Sequence, residues 1–500
     1  MSTTVIAPPA KLLPTFQTDQ QFREEALTRV QIDRSCRQTV VWYFASALFW
    51  LLAGSLFAML ASIKMHSPGF LSQYQWLTFG RVRPVHLNIV GYGWASMAAV
   101  GTLLWLQARL FRVRLPFRRL LPITCVVWNV TVAAGVIAIL AGYNTSIEWL
   151  EFPPQALGSF AFIFLILLAT SFKMFQQRTV KHTYVSSWYL FAAVIWFPIL
   201  YSIAVIAMQL DGVTGASKAT INWWFGHNTL GLWVTPVAIA TSYYMIPKVI
   251  GKPIHSYHIS LLGFWSLALF YNWAGTHHLV GGPLPAWVIT VGIVGSMMML
   301  LPVTTLAINH HLTMIGSFKL LKTSPTLRFV VFGSMMYTVA SAQGSFEALR
   351  EVSRVAHFTH YTVGHAHLGL YGFFSMIMFG AYYYIMPRLT RREWSSARLI
   401  RIHFWGAAVG VIIYFLSLTW GGWYQGTMMN NATIPFIKTV EYTKIYLILR
   451  SVGGTMMTTA HVAFAVLVWR MLKKQPMTRY SGPTLFTTRD EALRAEATTA

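Results

Sequence analysis

Acidic side chains are scarce in this chain. Its 500 residues include 14 Asp and Glu against 38 Lys and Arg, and charged residues of both signs make up only 10%. Ordinary soluble domains carry about 25% charged residues, so a water-exposed globular surface is excluded for most of the length. Cysteine is nearly absent as well. Cys36 and Cys125 are the only two, and neither belongs to a Cys-x-x-Cys-His pattern. That excludes a disulfide framework and a covalently attached c-type haem. Residues 1–37 contain no apolar stretch followed by a small-residue cleavage site, so no cleavable signal peptide is expected. Repeats, low-complexity tracts and long linkers are also missing.

What fills the chain is apolar: 55% hydrophobic residues, 15% of the chain aromatic. Crossing ~30 Å of hydrocarbon takes roughly 20 apolar residues as a helix, and by that measure about twelve segments qualify. They start near 40, 85, 120, 156, 185, 223, 258, 284, 328, 361, 402 and 445. Lipid cannot satisfy an open strand edge. The expected fold is therefore all-α, a polytopic membrane bundle of about twelve transmembrane helices. One membrane domain is expected over 38–474, between a polar arm (1–37) and a polar tail (475–500).

The formal charge of +24 is distributed as a topology signal. Arg109, Arg112, Arg114, Arg118 and Arg119 share one loop, and Lys173, Arg178 and Lys181 another. Lys248 with Lys252, Lys319 with Lys322 and Arg328, and Arg388 with Arg391, Arg392 and Arg398 follow in alternate loops. The arm (Arg23, Arg29, Arg34, Arg37) and Arg470, Lys473 and Lys474 join that side. The intervening loops are poor in positive charge, and one carries Glu148 and Glu151. By the positive-inside rule both termini are cytoplasmic, and nucleic acid is not an expected partner.

Six histidines lie inside the apolar segments: His86, His227, His277, His278, His365 and His367. With the N-terminus inside, all six fall at one height in the outer half of the bilayer. A single intramembrane imidazole commonly bonds a neighbouring helix, but six at one level, four of them in close pairs, point to ligands. His365 and His367 are two residues apart, about 200° around a helix, so they face opposite ways and serve different groups. Imidazole is the usual axial ligand of haem iron. One haem can sit between His86 and His367, and a second on His365 alone with an open position. His277 and His278, with His227, can form a three-nitrogen site suited to copper, zinc or iron. His66, His182, His255, His258, His310 and His311 are expected in loops or at helix ends facing water or headgroups, and His357 and His360 in a solvated loop.

The segments Gly80–His86, Gly226-His227-Asn228, Tyr271–His278, Thr362–His367 and Trp420–Gly426 together resemble the haem–copper oxidase superfamily. Within it the chain is similar to the catalytic subunit of cbb3-type cytochrome c oxidases. The resemblance implies a low-spin haem b on His86 and His367, a high-spin b-type haem on His365, and one copper ion on His227, His277 and His278. Tyr271 matches the family tyrosine that is linked to a copper-ligating histidine, here His227, and that supplies an electron and a proton when the O–O bond breaks. Glu148 and Glu151 resemble the acidic loop near the haem propionates, with Glu151 implied as a calcium ligand. Ser260, Tyr337, Thr235, Tyr243 and Tyr244 are candidates for a proton path from the cytoplasm. The implied activity is oxidation of cytochrome c and reduction of O2 to water, with proton pumping. The implied setting is a bacterial cytoplasmic membrane, among lipid and c-type cytochrome subunits.

Two departures stand out. Ala342-Gln343-Gly344-Ser345 replaces the usual Phe-Glu-Gly-Pro, so Gln343 cannot titrate, and Asn309-His310-His311 is unusual. The alternative reading is a nitric oxide reductase, which carries non-haem iron and a glutamate at the position of Gly231. Gly231 and Tyr271 both favour oxygen. A transporter with about twelve helices would need broken helices and internal repeats, and would leave the histidines unexplained.

Overall fold

The computed structural model describes residues 19–473. Residues 1–18, the tail 475–500, Lys474 and the Arg23 side chain lie outside the described residues. Twelve long helical segments follow one another. They are α1 (Asp19–His66), α2 (Phe79–Phe111), α3 (Leu121–Ala141), α4 (Ala156–Gln176), α5 (Val185–Ala207), α6 (Gly215–Ile250), α7 (Tyr257–Ala274), α8 (Ala286–Met314), α9 (Pro325–Glu347), α10 (His360–Thr390), α11 (Ala397–Met429) and α12 (Phe436–Leu472). Ten of them are long and apolar enough to cross a membrane, and the described residues contain no strand. α7 and α9 complete the set expected from the sequence.

The first helix differs from expectation. It begins at Asp19, about twenty residues before the apolar run, so the second half of the polar arm is helical. Buried polar contacts hold it there. Arg109 at the end of α2 pairs with Asp33 at 3.0 Å, Trp105 Nε1 donates to Asp33, and Arg112 reaches Glu25 at 3.1 Å. The charges of the arm are thus spent partly on a helix–helix joint.

The basic loops gather at one end of the bundle. Thr179 N donates to Phe111 O, His255 N to Thr313 Oγ1, and Arg392 Nη1 to Met471 O near the end of α12. Close approach elsewhere depends on glycine. A Cβ on Gly422 would fall 1.9 Å from Tyr361 N, and one on Gly426 would fall 1.8 Å from Val355 O. The Trp420–Gly426 run therefore lets α11 lie directly against the start of α10.

Three helices are locally widened into π-turns, at Ile89–Ala95 in α2, Leu230–Val234 in α6 and Leu368–Ser375 in α10. Widening frees carbonyls from the regular ladder, and two serines take them up: Ser96 Oγ donates to Gly91 O and Ser375 Oγ to Leu370 O. Buried indoles then lock the serines, with Trp233 on Ser96 and Trp94 on Ser375. Each widened turn begins within three residues of a ligand candidate, His86, His227 or His367. π-turns concentrate at functional sites.

Candidate metal and haem centre

The six histidines divide into two groups on opposite faces of α10. On one face the rings of His86 and His367 are nearly parallel, 12° apart, with centroids 6.3 Å apart. Metal–imidazole distances of ~2.0–2.1 Å place two ring centres about 6 Å apart across one ion, so the pair has the spacing of two axial ligands. Their orientation is fixed from behind: His86 Nδ1 meets Gly54 O at 3.0 Å and His367 Nδ1 meets Val363 O at 2.8 Å. Backbone carbonyls accept, so both Nδ1 atoms carry hydrogen and Nε2 is left for a metal. Tyr414 Oη stands 3.2 Å from His367 Nε2 and also accepts from Arg450 Nε at 2.7 Å. Arg450 can retain that hydroxyl when the nitrogen takes an iron.

On the other face, His365 lines a cavity. His227, Tyr271 and His277 line the same cavity, with Thr235, Tyr337, Ser341 and Ser345. Nδ1 of His365 is buried with no partner. A Cβ on Gly344 would fall 2.7 Å from His365 Cε1, so the glycine beside Gln343 makes room for this ring. Gln343 donates weakly to Thr419 Oγ1 at 3.4 Å, and its Oε1 has no partner.

Ligand atoms of His227, His277 and His278 lie within 4.8 Å of one another. The short 3-10 turn Gly275–Leu279 at the end of α7 brings the adjacent pair round to α6. Support is again specific. His277 Nδ1 bonds Ser296 Oγ at 2.7 Å, Ser296 donates onward to Gly292 O, and His278 stacks on Trp223 at 4.0 Å. Since Ser296 gives its proton to Gly292, it accepts from His277, which leaves His277 Nε2 for a metal. Nδ1 of His227 is buried without a partner. Three neutral imidazoles and a buried, unmet nitrogen fit a soft or borderline ion with an open position.

Tyr271 stacks on His227, with centroids 4.5 Å apart at 29°. Its ring lies over Gly231, where a Cβ would come within 1.8 Å of Tyr271 Cε1. A side chain at 231 and the tyrosine in this position exclude each other.

The sequence profile of the family described as "Cytochrome C and Quinol oxidase polypeptide I" matches residues 38–456. The chain belongs to this family. Among its relatives, the cbb3-type cytochrome c oxidase subunit CcoN1 of Stutzerimonas stutzeri is 30% identical over 457 residues, covering 88% of this chain and 96% of that one. A nitric oxide reductase polypeptide of the same organism is 26% identical over 253 residues, covering 48% and 52%. A solved structure of a heme-copper terminal oxidase dimer shares the fold, with a TM-score of 0.74 and 15% identity over 89% of this chain and 85% of that chain. The present chain is therefore a membrane-integral homologue of cytochrome c oxidase subunit I, similar to the cbb3 type, in a family that holds haem and copper.

The proton-path candidates separate. Thr235 and Tyr337 line the cavity with Tyr271. Tyr243 lies two turns below Thr235 on α6, where its hydroxyl accepts from Asn309 Nδ2 at 3.3 Å. Ser260 is buried and donates to Tyr257 O. Tyr244, the neighbour of Tyr243, is turned about 100° away and lines a different pocket with Arg29, Arg109 and Lys248.

Several expectations about the other histidines need correction. His310 is inside α8, 4% exposed, with its ring 4.9 Å from Tyr243 and no partner at either nitrogen. The Asn309-His310 pair is thus part of the buried core below the cavity, and no loop lies there. His360 opens α10 and is not in a solvated loop; its N–H donates to Gln425 Oε1. Two buried histidines, His403 and His461, were not singled out by sequence because nothing nearby marks them as paired. Ser296 was missed for the same reason: its role exists only through a contact between α8 and the turn after α7.

Glu151 is buried and accepts from Asn88 Nδ2 at 2.9 Å, two residues beyond His86, while Glu148 pairs with Arg83. The acidic loop is thereby tied to the outer end of α2. Burial pushes the Glu151 carboxyl up to about 7.

Proposed function

We propose that this chain is the catalytic subunit of a terminal respiratory oxidase that oxidises cytochrome c and reduces O2 to water. One observation carries the reading: His365 faces His227 and His277 across a single cavity whose wall is completed by Tyr271 lying over Gly231. In this reading His86 and His367 hold a low-spin haem b, His365 a high-spin b-type haem, and His227, His277 and His278 one copper ion. Bound there, the haem–copper pair would supply the electrons and the binding place for O2. The residues of the chain hold and orient these groups and handle the protons.

His365 and the three-histidine cluster define a site that is lined elsewhere by apolar side chains, including Leu230, Val234, Met299 and Phe373. Exclusion of water strengthens every charge interaction inside. Tyr271 sits against His227 and lines the cavity, where it could give up a hydrogen atom to a substrate bound there. Thr235 and Tyr337 supply the next hydroxyls, and Tyr243 with Asn309 and Ser260 continue toward the cytoplasmic side. The distribution of Lys and Arg supports cytoplasmic termini; in this reading the membrane is a bacterial inner membrane, protons are taken up from inside, and pumping accompanies turnover. Glu151 and the unpartnered Oδ1 of Asn88 offer two hard oxygens to a calcium ion. The chain has no Cys-x-x-Cys-His, so c-type cytochrome subunits would bring in the electrons.

The test is turnover of the purified complex with reduced cytochrome c, against O2 and NO in separate runs, together with metal and haem analysis. Fast O2 consumption with one copper per two b haems is expected. Preferential NO consumption with non-haem iron would replace this reading by the reductase one.

A further inference from the structure

On the face of α10 away from the cavity lies a buried side-chain cluster that the reaction described above does not use. Its centre is His461 on α12, 4% exposed. His461 Nδ1 meets Ser55 Oγ of α1 at 2.8 Å, and Nε2 meets Tyr371 Oη of α10 at 2.7 Å. Proton positions follow from the partners. Ser55 donates to Leu51 O at 2.7 Å, so it accepts from His461, and Nδ1 carries the hydrogen. Nε2 is then bare and faces the Tyr371 hydroxyl, which donates to it.

This arrangement satisfies both charge states of the ring. Neutral, His461 gives one hydrogen bond and takes one. Protonated at Nε2, it gives two, to Ser55 Oγ and Tyr371 Oη, and a phenol oxygen accepts as readily as it donates. The other buried imidazoles outside the metal groups differ. His403 bonds Tyr383 through Nδ1 but has no partner at Nε2, and His310 has none at either nitrogen. A charge on those rings would leave a buried donor unmet, which is costly. Among the described buried histidines outside the ligand set, His461 alone is built to hold a proton.

Its place explains what the proton would answer to. Ser55 follows Gly54, whose carbonyl orients His86. Tyr371 lies one turn beyond His367 on α10. Of the two residues that hold His461, Ser55 thus adjoins the carbonyl that orients His86, and Tyr371 lies one turn from His367. An electron added between His86 and His367 is poorly screened in the bilayer interior, and it raises the affinity of a nearby base for a proton.

We propose that His461 takes up one proton when the low-spin haem between His86 and His367 is reduced. The inference rests on the haem assignment made under Proposed function. One electron from the cytochrome c side enters the haem, and one proton from the cytoplasmic side adds to His461 Nε2. The Tyr371 O–H···N bond breaks and is replaced by N–H···O in the other direction, with the phenol O–H rotating away from the imidazole ring. The groups around His461 are Tyr371 on α10, Ser55 on α1 and, across the rings of Phe379 and Phe464, His403 of α11 with Tyr383. His403, six residues into α11, is the polar group on the cytoplasmic side of the cluster. On α12 itself Arg450 lies three turns outward, bonded to Tyr414 Oη and Met65 Sδ. Its positive charge opposes uptake and sets a limit on the pH range over which it occurs.

The experiment is a redox titration of the low-spin haem in the purified complex across pH, with the wild type, His461→Gln and Tyr371→Phe. One proton per electron corresponds to about 59 mV per tenfold change in proton concentration. The wild type should show a large part of that slope within the range where His461 titrates. His461→Gln keeps two hydrogen bonds and cannot titrate, so its midpoint should be flat there. Tyr371→Phe keeps the base but removes the acceptor for its second proton, and should move the sloping range to lower pH. Infrared difference spectra of the reduced minus oxidised complex, with ring-labelled histidine, should show an imidazolium band in the wild type that His461→Gln lacks. An unchanged slope in His461→Gln, or a flat wild type, overturns the proposal. Absence of a six-coordinate haem spectrum in the wild type would instead remove the haem assignment on which it rests.

Discussion

Tyr271 occupies the volume that any side chain on Gly231 would need: a Cβ there would sit 1.8 Å from Cε1 and 1.9 Å from Cζ of the ring. Two separate sequence signals, a tyrosine six residues before the histidine pair and a missing carboxylate on α6, are therefore one steric fact. A glutamate at 231 cannot coexist with this tyrosine position. Gly231→Ala should displace the ring from His227 and lower O2 turnover at least tenfold, with haem content retained. In a Tyr271→Ala background the same substitution should have no further effect on assembly, measured as haem per protein. Full turnover in Gly231→Ala would show that the ring is not held where the catalytic reading needs it.

Ser296 is expected to matter through His277. Its hydroxyl accepts from Nδ1 at 2.7 Å, which leaves Nε2 as the nitrogen available to a metal. Partners of this kind commonly change metal affinity by ~10–100-fold. Ser296→Ala should lower the copper-to-haem ratio after dialysis against a chelator, while the low-spin haem spectrum is unchanged. An unaltered ratio would mean that His277 is oriented by the backbone alone.

Two of the proton-path tyrosines should separate from one another in kinetics. Tyr337 shares the cavity with Tyr271, whereas Tyr244 faces the pocket lined by Arg29, Arg109 and Lys248. Tyr337→Phe is expected to slow steady-state O2 consumption about tenfold or more, within the ~10²–10⁴ range by which positioned proton-transfer groups act. Tyr244→Phe should stay within twofold of the wild type. The reverse ranking would move the proton path to the α1–α2 side.

Glu151 predicts a pH dependence of stability. Its carboxyl is held up to about 7 by burial, so the folded protein favours the protonated form. This contribution is complete below the ordinary carboxylate range and is lost as pH rises through 7. From the ordinary value of 4.5 to about 7 it amounts to at most ~3–4 kcal/mol at ~1.4 kcal/mol per unit. Glu151→Gln should flatten the fall in thermal stability over that interval, followed by loss of the native haem spectrum on heating. Calcium binds the ionised carboxylate, so added calcium should restore wild-type stability above pH 7 and leave the variant unaffected. An equal calcium response in both would place the ion elsewhere.

Sequence alone determined the membrane bundle, its twelve helices and the division of the six histidines. Each of these follows from short-range rules. Hydrocarbon thickness sets the length of an apolar run, and the 100° step of a helix puts His365 and His367 on opposite faces. Composition could not locate the true start of α1, because Asp33 is charged in the sequence and is met by Arg109 of another helix, and Glu25 is met by Arg29 one turn along α1 and by Arg112 just past the end of α2. The widened turns beside His86, His227 and His367 have no local signature either. The two beside His86 and His367 persist because Trp233 and Trp94, distant in sequence, hold the serines that satisfy the freed carbonyls. His310, His403 and His461 look alike in sequence. Only the tertiary structure distinguishes them, because what a buried imidazole can do depends on which donors and acceptors other helices bring to its two nitrogens.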